Sequence, residues 1–360
     1  MTDSVFEKRP FGERKRARWF AAIVVFLVFQ ITVCAVSALS PYTPPPPPPS
    51  SADAVYVYDA TSGVPLFARD ADARLAPGSL TKIVTALVVL EHADLDDVVT
   101  IQAADIVDES QSRVQLVAGD SLTVRDLLLG LFVPSGNDAA LALARHVGSN
   151  LPSGGNVSPR ADFVAEMNRF VADRGMSNVH FSNPSGLDDE DHYASARDLA
   201  MLTTEAIENP TLFEFMGTPS ATLPSALTDE GYPINTTHDM VLDGTAIAGK
   251  TGTTERAGCC LVTVSLEGTN RIVTVVLGSE LTKDAEGLET SDERYPETRE
   301  LLALLPERYE WIDPSAPDIA PGLTQELSAW DASLPENGRI PVPIDRRREF
   351  DYRLVLEPPA

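Results

Sequence analysis

From Trp19 to Leu39 the chain is almost wholly apolar, interrupted mainly by Gln30, Thr32 and Ser37. At ~1.5 Å per residue, a helix of that length can cross a bilayer. Residues 1–18 carry Lys8, Arg9, Arg14, Lys15, Arg16 and Arg18. Such a basic flank predicts a cytoplasmic N-terminus with the remainder outside. Val36-Ser37-Ala38 also offers a small-residue cleavage site, so residues 19–39 read either as a membrane anchor or as a signal peptide. Pro41 and the run Pro44–Pro49 then predict a stiff, solvated polyproline spacer over residues 40–51.

After Ala52 the pattern becomes that of a folded domain. Ala54–Tyr58 and Val64–Arg69 read as strands around a Thr61-Ser62-Gly63 turn. Pro77-Gly78 breaks the chain before a helix over Ile83–His92. Further helices are predicted over Thr123–Phe132, Asp138–Val147, Phe163–Arg174 and Ser195–Ile207. Strands return at Ala246–Thr251, Cys259–Ser265 and Arg271–Leu277, and Tyr295–Leu305 reads as a last helix. Strands, helices, strands and a helix, in that order, predict an α+β domain over residues 52–312. Its sheet is assembled from both ends of the chain around a helical insertion. Residues 313–360 form a short extension in which Arg339–Pro343 and Phe350–Leu356 read as strands of a small appendage.

Composition narrows the class. The 360 residues include 53 acidic against 28 basic ones, a net charge of −25. Phosphates would be repelled, so nucleic acid is excluded as a partner. Cys34, Cys259 and Cys260 make neither a zinc pattern nor a disulfide framework. Cys259 and Cys260 are adjacent, so a strand would turn them to opposite faces as two small buried groups. The histidines, His92, His146, His180, His192 and His238, show no metal-ligand spacing.

The lysines carry more information. There are five, Lys8, Lys15, Lys82, Lys250 and Lys283, in a chain that otherwise uses arginine. Arginine cannot lose its proton, whereas a desolvated lysine can. Lys82 closes Ser79-Leu80-Thr81-Lys82, where a serine at a helix start has a lysine one turn on. A lysine with a lowered pKa can take the hydroxyl proton, and the helix N-terminus favours the developing anion. Alone, the pair is as readily a capped helix with a surface lysine. Ser135-Gly136-Asn137 lies 56 residues beyond Ser79, in a break between helices, and alone is ordinary turn chemistry. Lys250-Thr251-Gly252-Thr253 begins 115 residues later at a strand end. There Gly252 permits close backbone approach while the ammonium and hydroxyls can grip a carboxylate. Taken together and in order, the three are the known signature of class A β-lactamases and penicillin-binding proteins.

From about Ala52 to Leu305 the chain resembles the serine D-alanyl-D-alanine carboxypeptidases, the low-molecular-weight penicillin-binding proteins. The likeness extends to Leu127–Val147, to Phe163–Leu187 with its HFSNPSGL stretch, to Ala257-Gly258 and to Val275–Gly278. It implies a β-lactamase/transpeptidase-like α+β fold with an antiparallel sheet of about five strands. It also implies that Ser79 attacks the penultimate D-Ala carbonyl of a peptidoglycan stem peptide, with Lys82 as base. Ser135 would relay protons between Lys82 and Lys250, and Asn137 would hold the acyl side chain. Thr251 and Thr253 would bind the terminal carboxylate with Lys250, and Arg294 would draw it in. The N–H groups of Ser79 and Thr253 would form the oxyanion hole. Many members have histidine at the place of Thr253. β-Lactam antibiotics are the implied inhibitors, and no cofactor or metal is implied.

Two alternatives follow from shared motifs. A serine β-lactamase would need a deacylating carboxylate, and Glu166 is the candidate. Periodicity, however, puts Glu166 on a solvated helix face. A non-catalytic penicillin sensor would need a cytoplasmic signalling domain, for which residues 1–18 are too short.

Overall fold

Strand β1 (Ala54–Asp59) is buried along nearly its whole length, and its residues alternate between two cores. Ala54 and Tyr56 face one apolar cluster; Val55 and Val57 face another. The computed structural model describes residues 43–152, 158–283, 289–313 and 339–344. Around β1 it builds a five-stranded antiparallel sheet from β2 (Val64–Arg69), β3 (Ala248–Thr254), β4 (Gly258–Glu267) and β5 (Asn270–Ser279). The order is β2-β1-β5-β4-β3. Both ends of the domain therefore supply the sheet, as the predicted α+β order requires.

Helix α1 (Lys82–His92) is buried from Lys82 through Val89. A helix apolar on every side belongs at the centre of a domain. Around it lie α2 (Val124–Phe132), α3 (Asn137–Gly148), α4 (Pro159–Asp173) and α5 (Ala196–Glu208). Thr123 starts α2 with a reciprocal capping box to Asp126, and Ser195 starts α5 by accepting from Asp198 N–H. Short helices α6 (Pro210–Met216) and α7 (Asp239–Leu242) lead into β3. The opposite face of the sheet is covered by α8 (Arg294–Arg308), through Leu301 and Leu305.

Three expectations change. The Lys250-Thr251-Gly252-Thr253 segment is not a strand end, because β3 continues to Thr254 and carries the motif within it. Among the described residues β3 is also an edge strand, paired only with β4. The proline run is not a freely solvated spacer: Ala68 N–H donates to Pro45 O at 3.2 Å and Arg69 to Pro48 O at 3.3 Å. Prolines lack N–H groups but keep their carbonyls, so the run can satisfy donors on the outer edge of β2. Ile340–Pro343 pairs with Tyr309–Ile312, a strand the pattern did not reveal. Its expected companion, Phe350–Leu356, lies outside the described residues, as do residues 1–18 and 19–39. Among the described residues no helix is long and apolar enough to cross a membrane.

Candidate active site

Pro77-Gly78 turns the chain into a short 3-10 helix, Gly78–Thr81, that runs directly into α1. Ser79 thus sits one turn before Lys82, and Lys82 Nζ lies 2.8 Å from Ser79 Oγ. Nζ also donates to Asn137 Oδ1 at 2.7 Å and to Ser185 O at 2.8 Å. The side chain is fully buried. Burial, then the nearby Lys250 charge, hold its ammonium well below the ordinary value, with Asp138 offsetting only part. None of its three partners carries a charge. As a neutral amine it can donate to the two carbonyl-type oxygens and turn its lone pair on the Ser79 hydroxyl.

The second lysine repeats this arrangement. Lys250 Nζ donates to Ser135 Oγ at 2.8 Å and to Thr251 O at 2.9 Å, and is 1% exposed. Burial, with the Arg294 charge added, brings its pKa down to about 7. Ser135 occupies the left-handed region at φ 60, which is uncommon for a residue with a side chain and costs local strain. It is held in the break between α2 and α3, from which its hydroxyl meets β3. Ser135 thus bonds to Lys250, whereas Lys82 bonds to Ser79, Asn137 and Ser185.

Backbones meet closely between the first and third motifs. A Cβ built on Gly252 would lie 2.8 Å from Pro77 O and 3.1 Å from Ser79 N. One built on Gly78 would lie 3.3 Å from Thr253 N. Glycine at both positions lets the Ser79 and Thr253 amides approach each other. At the far end of the motif, Arg294 Nη1 donates to Thr253 Oγ1 at 2.9 Å and to Gly252 O at 3.1 Å. Its Nε and Nη2 grip Asp292, the latter at 2.6 Å. Thr251 Oγ1 lies 2.5 Å from Thr237 Oγ1.

These contacts link the predicted residues of the three motifs and Arg294 to one another, and several unpredicted ones join them. Ser185 supplies a carbonyl to Lys82, and Pro184 supplies one to Thr85 Oγ1 at 2.6 Å. Asn183 Oδ1 builds that loop by accepting from the N–H groups of Ser185, Gly186 and Leu187. Buried Asp138 accepts from the N–H groups of Val114, Gln115 and Leu116, anchoring the loop that brings Gln111 Oε1 2.9 Å from Asn137 Nδ2. Asp138 is visible in the sequence beside Ser135-Gly136-Asn137, and Asn183 lies within the HFSNPSGL stretch; backbone acceptors leave no residue-type signal.

Cys259 and Cys260 are free and buried, with thiols pushed up by burial to about 11 and about 12. Cys260 lies in the main core and Cys259 on the α8 side with Arg294 and Asp292 nearby, so the pair does face opposite ways. Thiols so disfavoured as thiolates are poor nucleophiles.

Glu166 requires a correction. It is not solvated: it is 9% exposed, lies 2.6 Å from His92 Nε2 and is gripped by Arg169. α4 packs on α3 and α1, so its Glu166 face meets protein.

Residues 42–281 match the model of the D-alanyl-D-alanine carboxypeptidase family. D-alanyl-D-alanine carboxypeptidase DacF of Bacillus subtilis (strain 168) is 31% identical over 241 residues, covering 65% of this chain and 59% of the relative. The D-alanyl-D-alanine carboxypeptidase of Streptomyces sp. (strain K15) is 32% identical over 269 residues, covering 72% and 91%. The crystal structure of the Streptomyces K15 DD-transpeptidase superimposes with a TM-score of 0.62 at 30% identity, covering 71% of this chain and 97% of that one. With the family model matching most of the chain and the fold agreeing, this chain belongs to the D-alanyl-D-alanine carboxypeptidase family of serine peptidases.

Proposed function

We propose that the chain removes the terminal D-Ala from peptidoglycan stem peptides through an acyl-enzyme on Ser79. The carrying observation is a fully buried lysine 2.8 Å from a serine hydroxyl, with no charged group bonded to it. Lys82 takes the Ser79 proton as Oγ attacks the penultimate D-Ala carbonyl. The Ser79 and Thr253 N–H groups receive the oxyanion. As the tetrahedral intermediate collapses, the C–N bond breaks and the leaving D-Ala amine takes the proton that Lys82 received from Ser79, relayed through Ser135 between Lys82 and Lys250. Asn137 Nδ2 holds the acyl side chain, with Gln111 beside it. Lys250, Thr251, Thr253 and Arg294 hold the terminal carboxylate, and Gly252 admits the substrate backbone to the free edge of β3. Water then releases the acyl group by the reverse proton path. β-Lactams enter the same route and acylate Ser79.

The basic residues 1–18 and apolar residues 19–39 support a site held at the outer face of the cell membrane. The decisive experiment is labelling with a fluorescent penicillin, together with D-Ala release from a pentapeptide. Ser79→Ala should lose both; labelling that survives the substitution refutes the assignment. Release of D-Ala with no cross-linked product identifies water as the acceptor.

A further inference from the structure

Thr81 lies between Ser79 and Lys82 in sequence, yet its hydroxyl bonds to neither. Thr81 Oγ1 is 2.9 Å from Gly78 O and 2.7 Å from His192 Nε2. Thr81 is fully buried and His192 is 2% exposed. The proton positions follow from the partners. Ser182 N–H donates to His192 Nδ1 at 3.1 Å, and Asn183 Nδ2 approaches the same nitrogen at 3.4 Å. Nδ1 is therefore the lone-pair nitrogen and Nε2 carries the hydrogen. Nε2–H donates to Thr81 Oγ1, and the Thr81 hydroxyl donates in turn to Gly78 O. Ser182 N–H, His192, Thr81 and the Gly78 carbonyl thus form a chain of one polarity.

The end of that chain matters for catalysis. Gly78 C=O and Ser79 N–H belong to one planar, trans peptide unit and point in opposite directions. Whatever holds the Gly78 oxygen also aims the Ser79 amide hydrogen. Gly78 is at φ +52 and has no side chain to limit its rotation. A Cβ on Gly186 would fall 1.8 Å from Gly78 O, so the neighbouring loop is glycine where it borders this carbonyl.

We propose that His192, acting through Thr81, is a positioning residue that aims the Ser79 N–H at the developing oxyanion. The proposal rests on the reading of Ser79 as nucleophile. The imidazole stays neutral while it does so. Burial above all brings it down to about 4; His180 and Lys82 act the same way, and Asp189 and Asp188 oppose them. A protonated Nδ1 would confront the Ser182 N–H, donor against donor.

Deleting a whole oxyanion-hole donor costs about 10²–10³-fold in kcat, so misaiming one should cost about 10–100-fold. The test is single-turnover acylation by a fluorescent penicillin, with D-Ala release from a pentapeptide, on the full chain. Thr81→Val and His192→Phe should each slow acylation and lower kcat by that factor with KM within about twofold. Thr81→Ser, which keeps the hydroxyl, should retain the rate, and His192→Gln, which keeps an N–H, should recover part of it. The double variant T81V/H192F should be no slower than the worse single variant, because both cut one chain. Single variants within about twofold of wild type overturn the proposal, as do losses that multiply in the double or that fall on KM. If His192→Phe does not fold, Thr81→Val against Thr81→Ser decides alone. Ser79→Ala separates the two readings: labelling that persists there defeats the nucleophile assignment. Abolished labelling there, with wild-type rates in T81V, defeats this proposal only.

Discussion

Helix α1 has an ionisable side chain at each end, Lys82 fully buried and His92 half-buried against the buried Glu166, and the two clusters are handled in opposite ways. At its start Lys82 touches a hydroxyl, an amide oxygen and a backbone carbonyl. At its finish His92 meets Glu166, whose carboxylate also takes Arg169. The first cluster bonds no countercharge to its lysine, and Asp138 nearby offsets only part of the cost, so burial drives the proton off and makes a base. In the second, the arginine and histidine hold Glu166 below the ordinary carboxylate range, which keeps it an anion and makes a tie between helices. Burial alone does not distinguish chemistry from architecture here. The presence or absence of a countercharge does.

The comparison breaks most sharply if Lys82 is made a permanent cation. Lys82→Arg keeps the charge but cannot accept the Ser79 proton. Loss of general-base catalysis is worth about 10²–10⁴-fold, and the larger guanidinium also disturbs a sealed site. Acylation by penicillin should fall by at least about 10³-fold, read by stopped-flow labelling. A rate within tenfold of wild type would show that Lys82 is not the base.

Arg294 extends the contrast to β3, since its charge is shared between Asp292 and the Thr253 end of the motif. If Arg294 holds the terminal carboxylate as proposed, Arg294→Gln should lower kcat/KM for a pentapeptide by about 10²-fold through loss of that charge-assisted contact. It should also raise the Lys250 pKa above about 7, because the Arg294 charge disfavours the protonated lysine. An upward shift in the corresponding limb of the pH–rate profile would register this.

Lys250 itself predicts a pH-dependent stability. Its folded pKa is about 7, below the 10.5 of an ordinary lysine. Between those values the unfolded chain binds the proton and the folded chain does not, so stability should rise with pH across that window. The slope for one such group is at most about 1.4 kcal/mol per pH unit. Thermal unfolding of Lys250→Met from pH 7 to 9.5 should lack that contribution; an unchanged slope would mean that Lys250 is protonated in its buried site.

Much of this site is legible in the sequence because its chemistry resides in side chains at short spacings. A serine one turn before a lysine stays one turn away in any helix. The scarcity of lysine, taken with the three motifs in order, marks Lys82 and Lys250 as residues kept for what arginine cannot do. What the sequence hides is either backbone or remote: the Ser185 carbonyl, Thr237 opposite Thr251, Gln111 beside Asn137, and Asp292 behind Arg294. A carbonyl oxygen is the same on every residue, so only the folded loop reveals it. The proline run misleads for a related reason, since composition describes stiffness and not the sheet edge its carbonyls would meet. The left-handed Ser135 is likewise invisible, because the strain there is imposed by packing rather than announced by a glycine.

Glu166 is the position where periodicity misleads, and it supplies the finest test. An isolated helix would expose it; α4 instead packs between neighbours, and the carboxylate is drawn to His92. His92 closes α1, ten residues after Lys82. At 1.5 Å per residue that is about 15 Å along the helix, too far for Glu166 to activate a water at an acyl-Ser79. Glu166→Gln should therefore leave penicillin acylation and deacylation within about twofold of wild type. Its cost should be structural, about 1–3 kcal/mol, because Arg169 loses its counter-anion and His92 loses a carboxylate partner. The measurements are turnover of a chromogenic β-lactam and the melting temperature. Slower deacylation with unchanged stability would reverse the assignment, giving Glu166 the role of a β-lactamase carboxylate and making the cluster at the far end of α1 the one that does chemistry.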